Sequence, residues 1–304
     1  MITRFTILII TFSCLNIVYS KKINSNSQQP EKIYSNSRAL IIGINDYQNV
    51  PSLTYAKDDA ISIQNLLVTQ FGFRKNNIQL LLNEDATKDA ILDAFHNITK
   101  KSKENDRVLV FYAGHGDTDK LPFGGEKGYL IPVDGNIENK YRTCIPMEEL
   151  YDIAQMSYAK HILYLVDACY GGLALSMKRG LNKETIPNYI SRITRERGRQ
   201  IITAGGKDQE VIEKSEWGHS ALTKNLLSGL GEGFADLNED GYITANELGE
   251  YAKERVTIDS EGTHTPVHGR IGSDLGEFIF TNYQSKKILN ENSKEGSYDD
   301  IRNE

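Results

Sequence analysis

Short, continuous apolar runs alternate along the chain with longer stretches whose apolar residues recur at helical spacing. Residues 38–44, 77–82, 107–112, 161–166 and 200–203 are runs of the first kind, the signature of strands covered on both faces. Residues 56–69, 87–100, 221–230 and 246–256 carry the helical pattern. Strand–helix alternation of this kind predicts an α/β fold, an open, mostly parallel β-sheet with helices on both faces as a three-layer sandwich. In such sheets, sites collect where strands end and loops begin.

The ends of the chain follow a different pattern. Residues 1–20 read as a secretory signal: Arg4 opens it, residues 5–18 are mostly apolar, and Val18-Tyr19-Ser20 offers a cleavage site. The apolar run is shorter than the ~20 residues a membrane span needs, and Thr11, Ser13 and Asn16 interrupt it. Export, secreted or periplasmic, with no stable membrane span after cleavage is therefore the expectation, and an uncleaved N-terminal anchor the alternative. Residues 21–32 form a polar linker, 33–283 a single domain without internal repeats, and 284–304 a polar tail.

Composition narrows the class. A chain of 304 residues, 39% hydrophobic and 25% charged, is ordinary for a globular protein with one sizeable core. Its net charge of −6 argues against a general nucleic-acid binder and leaves room for an acidic pocket that takes a basic substrate. After signal removal two cysteines remain, Cys144 and Cys169. An exported protein could pair them, but the surroundings of Cys169 favour a free thiol.

Two strands end in unusual chemistry. One runs Val108-Leu-Val-Phe-Tyr-Ala-Gly-His115-Gly116, the other Ile162-Leu-Tyr-Leu-Val-Asp167-Ala-Cys169-Tyr-Gly171-Gly172. A lone cysteine at a strand end is usually a small buried hydrophobe, and a lone histidine is usually structural. Together, flanked by glycines that let backbone approach a ligand and placed at the same edge of a parallel sheet, they point to a thiolate nucleophile and its base. His219 is a second possible base, but it stands in a polar segment away from any predicted strand end, which marks it as structural or peripheral.

His115 precedes Cys169 by the caspase-type interval of about 50 residues. The motifs Tyr112-Ala-Gly-His115-Gly116 and Asp167-Ala-Cys169-Tyr-Gly171 resemble the paired motifs of metacaspases and their bacterial relatives (orthocaspases), within the caspase–metacaspase superfamily of C14-type peptidases. Further blocks resemble the same group: Ala39 to Tyr47, Leu53 to Ala60, Arg199 to Gly206, and Gly218-His219-Ser220-Ala-Leu-Thr223. The resemblance covers about residues 38–256. It implies a caspase-like fold and a cysteine endopeptidase that acts on proteins or peptides. Cys169 would attack the scissile carbonyl, His115 would act as base and then acid, and the backbone N–H groups of Gly116 and Cys169 would form the oxyanion hole. It divides the domain into a large-subunit part (33–177), a linker (178–198) and a small-subunit part (199–283).

The same resemblance bears on substrate choice. Caspases carry Gln two positions before the nucleophile; here Asp167 stands there, and no arginine occurs from Ala39 to Phe73. Aspartates matching Asp59 and Asp167 line a pocket for Arg or Lys in metacaspases, so a basic P1 side chain is expected, with Asp46 a weaker third candidate or a turn residue. The serine and cysteine of the metacaspase pocket are replaced by Ala113 and Ala56. A basic stretch, Lys178, Arg179, Lys183, Arg192, Arg195 and Arg197, is either a solvated connection or a segment the enzyme cuts in itself.

Residues 236–247 fit the twelve-residue EF-hand loop. Asp236, Asn238 and Asp240 would supply side-chain oxygens, Tyr242 its carbonyl, Thr244 a direct or water-mediated contact and Glu247 a bidentate carboxylate to Ca2+, with Gly241 at the sharp turn. Gly231-Glu-Gly233 interrupts the entering helix, so a half EF-hand bracing the small-subunit segment is expected. Two other functions remain open, a catalytically weak caspase-like scaffold and a calcium-responsive interaction module.

Overall fold

The structure is a computed structural model that describes residues 33–169, 186–205 and 212–281, apart from the side chains of Cys169 and of 186–188. The signal segment, the 21–32 linker, the 284–304 tail and, within the basic stretch, Lys178, Arg179 and Lys183 lie outside the described residues.

The chain opens with β1 (Ser37–Gly43), α1 (Ala56–Gln70), β2 (Ile78–Leu82), α2 (Lys88–Lys101) and β3 (Arg107–Ala113). A small antiparallel excursion follows, β4 (Gly116–Lys120) and β5 (Glu126–Leu130), then the short helix α3 (Lys140–Thr143) and β6 (Ile145–Pro146). Helix α4 (Met147–Met156) leads into β7 (His161–Cys169), and α5 (Ile186–Ile193) precedes β8 (Gly198–Gly205). The last third holds β9 (Glu213–Lys214), β10 (His219–Ser220), α6 (Ala221–Gly231), β11 (Tyr242–Thr244), α7 (Ala245–Asp259), β12 (Val267–Arg270) and β13 (Ile279–Thr281).

Six strands form the main sheet in the order β12-β8-β7-β3-β1-β2. All neighbours are parallel except the edge strand β12, which runs antiparallel to β8. Alternation along each strand divides the core into two layers. Ala39, Ile41, Leu109, Phe111, Leu163 and Leu165 face one layer with α1, α6 and α7. Leu40, Ile42, Val108, Val110, Ile162 and Tyr164 face the other with α2 and α4. The expected three-layer α/β sandwich is therefore the observed one.

Two buried guanidinium groups staple the amino-terminal edge of the sheet. Arg199 donates to the carbonyls of Ala154, Ser157, Ala159, Lys160 and Gly198. Arg107 donates to Phe71 and Ile279. Arg199 is satisfied by carbonyls, and Arg107 by two carbonyls and the Ser37 hydroxyl, so that edge is structural. The carboxyl edge is where polar groups are left with capacity to act.

Candidate active site

Parallel register brings the two predicted catalytic residues to neighbouring strand ends. Ala113 of β3 pairs with Asp167 of β7, and the Gly114 N–H donates to the Asp167 carbonyl at 3.2 Å. Two residues beyond that pair stand His115 on one strand and Cys169 on the other. Cys169 itself pairs with Gly205 of β8 after an irregularity in β7. The strand order reverses one strand over, between β1 and β3, since β1 is followed by β2 on one side and by β3 on the other. Ligand crevices form outside strand carboxyl ends at such a switch point.

The surroundings of His115 fix its ring. Its Nε2 lies 2.8 Å from the Pro51 carbonyl. A carbonyl only accepts, so Nε2 carries the proton and Nδ1 is the nitrogen left free to take one. The Tyr47 hydroxyl accepts from the His115 backbone N–H at 2.8 Å, and the two rings pack with centroids 4.9 Å apart. Gly114 allows this packing, because a Cβ there would run into the hydroxyls of Tyr47 and Tyr112. The His115 carbonyl accepts from Ile131, which puts Gly116, opposite Leu130, at a non-bonded position of the β4–β5 ladder. Its N–H therefore points away from β5.

Beside this edge lie the two predicted pocket carboxylates. Asp167 continues the set Leu163, Leu165 that faces α1 and α6, which carries its side chain toward both helices. Its Oδ2 accepts from the Ser220 hydroxyl and, at 2.5 Å, from the Thr223 hydroxyl. Its Oδ1 is buried with no hydrogen-bond partner among the described residues. Asp59, in the first turn of α1, accepts at Oδ2 from the Ser220 N–H at 3.3 Å and pairs at Oδ1 with His219 Nδ1 at 2.5 Å. Ser220 thus bridges the carboxylates, which are 1% and 2% exposed. Burial first, and then the charge of Asp59, pushes the Asp167 carboxyl up to about 7. His219 is held above the ordinary imidazole value, chiefly by the Asp59 carboxylate. A cavity of about 10 Å³ reaches Asp167, lined also by Ile212 and His264.

Several expectations are refined here. His219 is not peripheral: it lies in β10, paired with β9, and touches Asp59. Asp46 accepts from the Asn83 amide at 2.6 Å, while Asn83 accepts from the Asn45 N–H. Ala56 and Ala113 are buried in the α1 layer. Cys144 is free and buried against Tyr129 and Ile131. Part of the 178–198 connection is helical, since α5 spans Ile186–Ile193 and packs Ile190 and Ile193 on Ile279. Sequence reasoning missed Pro51, Tyr47, Ser220 and Thr223 as parts of the site, although all but Pro51 fall in the blocks that carried the resemblance.

The 236–247 loop turns as an EF-hand loop would, with Gly241 at φ +82°. Asp236 accepts from the N–H groups of Asp240 and Gly241, Asn238 from Asp240, and Asp240 from Tyr242. Asp240 Oδ2 is buried without a partner among the described residues. Glu247 differs from the expectation, because it turns back into a capping box with Thr244 at the start of α7. A carboxylate serving as N3 of a helix accepts from the N-cap amide, which draws it away from Asp236 and Asp240. Among the described residues no three His, Cys, Asp or Glu side chains converge on a metal-sized site.

Comparison with known proteins places this geometry. The model of the caspase domain (peptidase C14) matches residues 36–267, and the chain belongs to that family. It is 30% identical over 154 residues to metacaspase-1 of Eremothecium gossypii, a match covering 47% of this chain and 33% of that protein. It is 27% identical over 216 residues to metacaspase-1B of Aspergillus clavatus, covering 63% and 51%. The matches thus span a third to a half of these longer relatives. Among solved structures, caspase-1 from Spodoptera frugiperda superposes with a TM-score of 0.51 at 15% identity, covering 78% of this chain and 86% of that one. A Geobacter sulfurreducens protein superposes with a TM-score of 0.55 at 16% identity, covering 78% and 94%. The caspase-like fold follows from these likenesses. Among the described residues no helix is long and apolar enough to cross a membrane.

Proposed function

We propose that this chain is a cysteine endopeptidase in which Cys169 is the nucleophile and His115 its base, cleaving protein or peptide chains after Arg or Lys. The observation that carries the proposal is the pairing of β3 with β7, with His115 and Cys169 two residues past the last paired position. The Pro51 carbonyl supports it by leaving His115 Nδ1 as the basic nitrogen. In the reaction Cys169 adds to the scissile carbonyl, forming the C–S bond as His115 takes the thiol proton. The oxyanion is held by the N–H groups of Gly116 and Cys169. His115 returns the proton to the departing amine as the C–N bond breaks, and water then hydrolyses the thioester with His115 as base.

Preference for a basic P1 residue is supported by two buried carboxylates, Asp59 and Asp167, with Asp167 Oδ1 unpaired among the described residues. Self-processing would fall at Lys178, Arg179 or Lys183, since Arg192 lies in α5 and a peptidase binds its substrate extended. Calcium is a separate part of the proposal. Asp236, Asn238, Asp240 and the Tyr242 carbonyl would hold it once Glu247 leaves its capping box, and the unpaired Asp240 Oδ2 supports this. Calcium there would brace the α6–α7 connection. Export through residues 1–20 completes the proposal. The test is a panel of fluorogenic peptides differing only at P1. Cleavage after Arg and Lys, absent in Cys169→Ala, is expected; cleavage after Asp with basic peptides untouched would sink the P1 assignment.

A further inference from the structure

The pocket proposed for P1 already contains a basic side chain of the chain's own. His219 sits on Asp59 Oδ1, and Ser220 N–H occupies Oδ2. Asp167 Oδ2 is taken by two hydroxyls, while its Oδ1 has no partner among the described residues. We infer that His219 is a specificity-determining residue that sets the charge of this pocket, weakening the grip on a basic P1 side chain while its imidazole is protonated and releasing it when the proton leaves. The inference rests on the P1 pocket proposed above and names how that pocket is regulated.

The charge count follows from the contacts. With His219 protonated, Asp59 is neutralised and at most one carboxylate charge, that of Asp167, faces an incoming guanidinium. With His219 neutral, Asp59 and Asp167 together present two. His219 can exchange its proton with solvent, because its side chain is 23% exposed whereas that of Asp59 is 1% exposed. The groups facing this cluster are Asp58 and Asp59 on α1, Asp167 on β7, Glu213 and Lys214 on β9, and His264, which follows α7 and lines the cavity at Asp167. Glu213 is committed to the Thr54 and Tyr55 N–H groups at the start of α1. The lysines stand over Trp217, Lys214 at 4.5 Å and Lys224 at 4.7 Å from the ring centroid. Lys224 is also paired with Asp259 at 2.8 Å. His219 is thus the cationic side chain seated on Asp59 among the described residues.

Deprotonation with rising pH makes the cluster more negative, so basic P1 binding strengthens. Asp167 titrates in the same direction, and the experiment separates the two. An Arg peptide and its neutral isostere, the citrulline peptide, are compared from pH 6 to pH 8.5 in wild type and in H219N. The asparagine amide can still donate to Asp59 but carries no charge. In wild type the Arg-to-citrulline ratio of kcat/KM is expected to climb at least about tenfold, the size of one pKa unit of coupling, with the change in KM rather than kcat. H219N is expected to raise the ratio at pH 6 several-fold and to leave only the shallower climb that ionisation of Asp167 supplies. H219Q, checked for folding by circular dichroism, serves as the second variant. Parallel climbs in wild type and both variants would overturn the role of His219. A ratio near one at every pH in all three proteins would instead overturn the P1 pocket itself.

Discussion

Ser220 carries two jobs at once, so replacing it with alanine tests the account of the carboxylate cluster. Its hydroxyl oxygen accepts from the Thr223 N–H at 2.9 Å as the N-cap of α6, and its proton goes to Asp167 Oδ2. Loss of an N-cap costs about 1 kcal/mol, and loss of a hydrogen bond to a charged group costs about 1.5–3 kcal/mol. Ser220→Ala should therefore destabilise the fold by about 2.5–4 kcal/mol, a fall in Tm of about 5–15 °C for a domain of this size. Urea unfolding at pH 8, in a Cys169→Ala background that prevents self-cleavage, measures it. In a further Asp167→Asn background the hydroxyl meets a neutral amide, so the same substitution should cost about 1 kcal/mol less. A cost under about 0.5 kcal/mol, or one indifferent to the Asp167 charge, would refute the reasoning.

Asp167 also predicts a pH dependence. Its folded-state value is raised to about 7, so the folded chain binds the proton more tightly than the unfolded one. Its stabilising contribution is full below the unfolded carboxylate range and is lost as pH rises through about 7. Relative to Asp167→Asn, the wild type should lose up to about 4 kcal/mol between pH 4 and pH 8, read from paired denaturation curves; a constant difference would contradict it. Calcium should raise Tm by binding only the folded state, with the shift abolished in Asp236→Ala/Glu247→Ala; calorimetry without heat at millimolar calcium would end that proposal. Purified wild type should yield fragments ending at Lys178, Arg179 or Lys183, while Cys169→Ala stays whole. A fully active wild type that remains intact would show that processing is not needed.

Five strands of the main sheet were legible because they read as continuous apolar runs, whereas the edge strand β12, half-buried at every position, was not. The β4–β6 excursion was not, because Gly116–Lys120 is a polar run with no alternation. Helix α4 was overlooked although Met147, Leu150, Ile153 and Ala154 line its buried face, since it spans fewer than three turns. At the site, His115 and Cys169 announced themselves through flanking glycines. The Pro51 carbonyl could not, because a backbone acceptor has no side-chain signature and it reaches His115 across 64 positions. Ser220 and Thr223 read as an ordinary helix start, and the fold alone puts their hydroxyls on Asp167. Glu247 shows the converse: the loop pattern was complete in sequence, but the local demand of a helix N-terminus claims the carboxylate.

The central claim is that the thiol at the end of β7 is the nucleophile and that the imidazole at the end of β3 activates it. Labelling with an Arg-peptide ketone that traps thiolate nucleophiles, followed by peptide mapping, tests this directly. The account predicts one label per chain on Cys169, a rate several orders of magnitude lower in His115→Ala, and no label on buried Cys144. Label on Cys144, or labelling undiminished in Cys169→Ala, would contradict it.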